Sequence, residues 1–116
     1  MGKAVIIAST FSDEVAAAGI GKKMVQAKLA ACVNISPVRS IYSWKDKVED
    51  QQECLALFKT TKESAGKLKK ELAKVHPYDV PEIIEIDVAG VSMSYLSWLV
   101  DSTQGVAKKR DHSAKR

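Results

Sequence analysis

"ACVNISPVRSIYSWKDKVEDQQECLALFK", residues 31–59, is the stretch on which the fold turns. From Ala31 to Trp44 it reads as one long strand, with β-branched and aromatic residues alternating with polar ones. The alternation changes phase part-way. Val33 and Ile35 share one face, whereas beyond Pro37 the residues Val38, Tyr42 and Trp44 fall on the opposite parity. A bulge or bend at Ser36–Pro37 would reconcile the two phases, because proline cannot donate to a central ladder. The polar run Lys45-Asp46-Lys47 then predicts a turn, and Val48 to Lys59 a returning strand, polar first and apolar afterwards. At about 3.3 Å per residue the first strand alone reaches roughly 45 Å, against a radius of gyration of about 13 Å for a domain of this size. The hairpin therefore bends sharply, or its end lies against another subunit. Tyr42 and Trp44 near that end favour the second, since aromatic rings are costly to leave in water.

Upstream, residues 3–8 (KAVIIA) form a short apolar strand, followed by a loop, STFS, and a helix. Ser12 is the expected N-cap, with Asp13 and Glu14 suiting the positive end of the helix dipole. Ala16, Ile20, Met24 and Ala27 recur at helical spacing, and the helix ends near Leu29. Downstream, Thr60-Thr61-Lys62-Glu63 fits a capping box with Thr60 as N-cap. Ala65, Leu68, Leu72 and Val75 then line one face of a second helix, which stops at His76-Pro77 because proline disfavours helical geometry in the residue before it. Residues 82–88 (EIIEIDV) predict a fourth strand with Ile84, Ile86 and Val88 on one face, and Ser92 caps a last short helix containing Met93, Leu96, Leu99 and Val100. The order is β-α-β-β-α-β plus a terminal helix. This is the α+β, ferredoxin-like arrangement, an antiparallel sheet with helices on one face.

A chain of 116 residues suits one domain, here residues 1–101, with 102–116 as a basic, flexible tail. The net charge of +4 belongs to that tail, where five basic residues face Asp111 alone, and the body is neutral. The tail is short and lacks aromatics for base stacking, so nucleic acid is not an expected partner. No apolar run approaches the ~20 residues needed to cross a bilayer, and the first ten residues lack the pattern of a secretory signal. A cytoplasmic protein without membrane contact is expected. Cys32 and Cys54 have no C-x-x-C spacing and read as free thiols in apolar stretches.

The chain lacks phosphate-loop, dinucleotide, zinc-protease and nucleophile-elbow motifs. The remaining chemistry sits in "HPYDVPEIIEI", residues 76–86. His76, Asp79 and Glu82 offer one imidazole and two carboxylates, a partial set for zinc or copper where three or four ligands are usual. The same residues read more readily as the turn that carries the chain from helix to strand.

Five segments carry a resemblance: "KLAACVNI" (28–35), "SIYSWKDKVE" (40–49), "ECLALFKTT" (53–61), "HPYDVPEIIEI" and "SYLSWL" (94–99). In this order, and across nearly the whole body, they resemble the divalent-cation tolerance protein CutA family. The resemblance implies a non-enzymatic homotrimer whose long hairpins pair between subunits, linked to tolerance of copper or other divalent cations, and similar in architecture to trimeric PII-type signalling proteins. It also implies weak binding of a divalent metal, copper or zinc, and for copper a ligand set of an early cysteine and two consecutive histidines before Pro-Tyr. This sequence has Ser9 near the place of the cysteine and Val75 in place of the first histidine, so only His76 matches. Two alternatives remain open beside metal tolerance: a scaffold for protein partners, or a small-ligand sensor. The sensor would have its cleft between subunits, with Tyr42, Trp44, Glu53, Lys59 and Tyr78 as candidate lining.

Overall fold

The structure is a computed structural model that describes residues 3–104. Its elements run β1 (Ala4–Phe11), α1 (Glu14–Gln26), β2 (Cys32–Trp44), β3 (Lys47–Thr61), α2 (Lys62–Val75), β4 (Ile84–Asp87) and α3 (Met93–Ser102). The four strands form one antiparallel sheet in the order β2-β3-β1-β4. This is the expected α+β, ferredoxin-like order. Residues 105–116, most of the proposed tail, lie outside the described residues.

β2 and β3 pair without interruption from Cys32 opposite Lys59 to Trp44 opposite Lys47. The expected bulge at Ser36–Pro37 is absent from this pairing. Among the described residues β2 is an outer strand with β3 as its only neighbour in the sheet, and an outer strand accommodates a proline whose missing N–H would point away from the ladder. The phase change in the sequence instead marks a change of covered face. Val33 and Ile35 pack against the main core beneath α1 and α2, while alternation puts Val38, Tyr42 and Trp44 on the other face.

β1 is longer than its sequence pattern implies. Ser9, Thr10 and Phe11, read as loop, pair with Ala56, Leu55 and Cys54. Phe11 is fully buried, and its contribution to the core explains why the strand continues. The pairing with β1 ends at Cys54, so the hairpin beyond it extends past the rest of the sheet, and the molecule measures 51 × 28 × 24 Å.

Val5, Ile7 and Phe11 of β1, Ala56 and Phe58 of β3, Ala17 and Met24 of α1, and Ala65, Leu68 and Leu72 of α2 form the main core. The inward face of α1 thus runs through Ala17, Gly21 and Met24; Ala16 and Ile20 are only half-buried and Ala27 is exposed. Gly21 lets the helix approach β2 closely, because a Cβ there would sit 3.3 Å from Val33 Cγ1. A second, smaller cluster forms where Leu99 of α3 meets Ala4 and Ala31, on the face opposite Val5. Of the three expected caps, Ser92 caps α3 as expected, while the other two shift by one residue. Asp13 Oδ1 accepts from Ala16 N–H at 2.8 Å and Thr61 Oγ1 accepts from Ser64 N–H at 3.3 Å. Thr60 is instead the last core-facing position of the strand, where its buried hydroxyl donates to Leu29 O at 2.7 Å. Glu63 therefore misses the third helical position, and the capping box does not form.

β4 joins the opposite edge from β2. Its Glu85 turns toward α2, where Lys62 and Lys69 both reach its carboxylate, the latter at 2.8 Å. Ile84 and Ile86 turn the other way, opposite Ala8 and Ile6, and are 50% and 44% exposed. Neither Cys32, half-buried, nor Cys54, buried, forms a disulfide.

Candidate functional site

α2 runs out at His76, whose backbone N–H still donates to Leu72 O while its own backbone turns extended ahead of Pro77. That turn brings the imidazole to the end of β1. The ring stacks on Phe11 with centroids 4.5 Å apart and planes inclined by 17°, and the residue is buried. One ring nitrogen, Nε2, lies 2.9 Å from Thr10 O, and the other, Nδ1, lies 3.1 Å from Tyr78 N. A carbonyl only accepts and an amide only donates, so Nε2 carries the proton and Nδ1 presents its lone pair. Burial holds the ring's protonation below the ordinary imidazole range, against the opposing pull of the Thr10 carbonyl and the Glu53 carboxylate.

Tyr78, fixed through its backbone by His76, swings its side chain across to β3. Its hydroxyl donates to Glu53 Oε2 at 2.6 Å. Burial first, and then the carboxylate it bonds, push this phenol far above its ordinary value, with Tyr42 and Asp13 adding to the effect. Glu82, further along the same loop, has its carboxyl pushed up by burial and by the negative charge of Glu53. The structure therefore gathers His76, Tyr78, Glu53 and Glu82 into one polar cluster beyond the end of β1, with Tyr42 and Asp13 close by. The arrangement offers carboxylate acceptors beside an aromatic wall, chemistry that suits a small polar ligand carrying donor groups.

The other candidates lie elsewhere. Lys59 pairs across to Cys32 and Ile6 at the far end of the hairpin, six residues from Glu53, or about 20 Å along an extended strand. Trp44 sits at the hairpin tip, 41% exposed, with Lys45 Nζ 6.0 Å from the ring centroid. Asp79 is exposed. Thr10, Phe11 and Asp13 belong to the cluster but were not legible from the sequence. The alternation Val5, Ile7, Phe11 would have extended the first strand to them had the serine at position 9 not interrupted it.

The copper set implied by the resemblance does not fit these residues. Ser9 is fully buried in the strand and its Oγ has no hydrogen-bond partner. Val75 has no donor atom, and both His76 nitrogens are engaged. Among the described residues no three His, Cys, Asp or Glu side chains are grouped so as to hold a metal ion.

The family profile of the CutA1 divalent ion tolerance protein matches residues 5–102. The chain belongs to the CutA1 family. The divalent-cation tolerance protein CutA of Thermus thermophilus is 44% identical over 100 residues, covering 85% of this chain and 96% of that one. The crystal structure of the CutA1 protein of Ehrlichia chaffeensis superposes with a TM-score of 0.86 at 30% identity, covering 90% of this chain and 98% of that one. A CutA structure from Archaeoglobus fulgidus, described as periplasmic, gives a TM-score of 0.85 at 30% identity, covering 87% and 99%. CutA1 proteins are thus not confined by name to the cytoplasm, and what holds for this chain is narrower: no described helix is long and apolar enough to cross a membrane.

Proposed function

We propose that this CutA1-family protein is a non-enzymatic, cytoplasmic homotrimer that contributes to tolerance of divalent cations. The observation that carries the assembly is the open sheet. β2 offers a thirteen-residue outer edge, Ile84 and Ile86 stand half-exposed on the face away from α1 and α2, and the hairpin end carries Tyr42 and Trp44, each 41% exposed. Soluble proteins blunt or cover long edges and apolar patches of this kind. Two further copies of the chain supply the cover, with the hairpin laid along a neighbour. The family name supports the cellular role.

Sedimentation equilibrium at micromolar concentration tests the assembly: a mass three times the 12.7 kDa of the chain is expected, and a monomer refutes it. Growth of cells lacking the gene on raised copper or zinc, with and without the restored gene, tests the role; equal growth refutes it.

The polar cluster favours a second reading. Glu53, Tyr78 and Glu82, with Tyr42 nearby, would form one wall of a cleft between subunits that binds a small polar ligand. A panel of metabolites screened by thermal shift should then contain at least one that raises the midpoint in proportion to its concentration, and a flat panel counts against the sensor.

A further inference from the structure

We infer that His76 in this chain is a neutral hydrogen-bonded clamp rather than a metal ligand, and that the protein does not take up divalent metal through the residues the family resemblance points to. A neutral imidazole has one N–H and one lone pair. Here the N–H goes to Thr10 O at 2.9 Å and the lone pair to Tyr78 N–H at 3.1 Å. A metal at Nδ1 would have to displace the Tyr78 amide. A metal at Nε2 would require the other tautomer, which leaves Thr10 O without its donor and sets an Nδ1–H against the Tyr78 N–H. Either choice leaves a backbone polar group unpaired in a half-buried position. The ring is also stacked on Phe11, and the residue is only 8% exposed.

No neighbouring ligand offsets that cost. Copper favours thiolate and imidazole, and the positions that would supply them hold a buried hydroxyl, Ser9, and an aliphatic side chain, Val75. The carboxylates of the same cluster, Glu53 and Glu82, do not complete a set, since among the described residues no three His, Cys, Asp or Glu side chains are grouped so as to hold a metal ion. What His76 does instead is positional. Through the Thr10 carbonyl it holds the end of β1, and through the Tyr78 amide it fixes the residue whose side chain reaches Glu53 on β3. Three separate parts of the chain are thereby tied at the corner where the hairpin begins to overhang.

Two measurements on the full-length protein test this. Long-range nitrogen–proton NMR of the histidine rings, with His112 as an internal reference in the same chain, should show His76 protonated at Nε2 and unprotonated at Nδ1. The pattern should be unchanged by one equivalent of zinc ion. A shift of the His76 ring nitrogens with stoichiometric zinc overturns the inference without any variant having to fold. Calorimetry with zinc and copper ions should give affinities within about twofold for the intact protein and His76→Asn, and a tenfold or greater weakening in the variant overturns it. For the positioning role, hydrogen exchange at the Tyr78 amide should be protected in the intact protein, faster in His76→Ala, and protected again in His76→Asn, whose Oδ1 stands where Nδ1 does. Equal protection in the intact protein and in His76→Ala refutes the clamp.

Discussion

The tautomer at His76 has a consequence for stability against pH. Burial holds the folded ring's protonation below the ordinary value of 6.5, so above that pH the neutral ring and both its hydrogen bonds are fully present. As pH falls from 6.5 the unfolded chain takes up the proton more readily than the folded one, and the contribution is lost through the folded value. The intact protein should therefore lose more stability between pH 7 and pH 5 than His76→Asn, measured as the urea midpoint at each pH; parallel profiles would sink this. Glu82 acts in the opposite sense, since burial and then Glu53 raise its carboxyl above the ordinary 4.5 and its contribution is lost as pH rises through the raised value. The comparison with His76→Asn cancels that background. Ser9 makes a second residue-scale case. Its fully buried Oγ has no partner, and an unmade hydrogen bond costs about 1–3 kcal/mol, so Ser9→Ala should raise unfolding stability by about 1 kcal/mol in a denaturant titration. A loss of stability would mean that Oγ has a bonding role. Sequence reasoning reached His76 and Tyr78 because they stand in a recognisable corner. It could not reach their partners Thr10 and Phe11, because the polar Ser9 on the inward face hides the continuation of the strand.

The elements carry their own signatures, and two of them are strained. α1 ends in a Schellman motif: Lys28 N–H donates to Val25 O and Leu29 N–H to Met24 O, each at 3.0 Å, while Met24 and Leu29 both sit in the main core. The residue at the left-handed position is Lys28, at φ 62°, where glycine is the usual choice. The hairpin turn makes the same demand twice, with Lys45 at φ 50° and Asp46 at φ 63° closing a two-residue loop between Trp44 and Lys47. Such loops prefer glycine at the second place. Lys28→Gly and Asp46→Gly should each raise stability by about 0.5–1 kcal/mol, after the greater unfolded-state freedom of glycine is set against the left-handed cost of an L-residue. Denaturant titration of each variant checks this, and a loss at either site would show that the side chain makes a compensating contact. The helices were legible because their apolar spacing is strong. The first residues of α1 and α2 were not, because two capping side chains in a row, Ser12-Asp13 and Thr60-Thr61, satisfy the same pattern, and at the second pair it is the bond from Thr60 to the Leu29 carbonyl that leaves Thr61 to cap.

At the scale of the whole molecule the hairpin length was the most telling quantity in the sequence, since a strand from Ala31 to Trp44 outruns a domain of this size whatever its neighbours are. The bulge or bend expected at Ser36–Pro37 to reconcile the two phases is not needed. The register runs straight through Pro37, and the change of phase reports that one face of the hairpin is covered near its base by this chain's own helices, while the apolar face nearer its tip awaits another cover. If that cover is the proposed neighbouring subunit, charge on the open face should break the assembly and charge on the outer helix surface should not. Ile86 stands on the open face, opposite Ile6 and 44% exposed, whereas Val15 is 83% exposed on α1. A buried isoleucine contributes roughly 1.5–3 kcal/mol, and an arginine in its place would add an unpaired buried charge at each interface. Ile86→Arg is therefore expected to sediment as a monomer at concentrations where the intact protein and Val15→Arg both sediment as trimers. The same dissociation should move the tryptophan emission of Ile86→Arg to longer wavelength as Trp44 enters water. Trimeric Ile86→Arg would mean that this face looks outward in the assembly and that the contact is made by the strand edges alone.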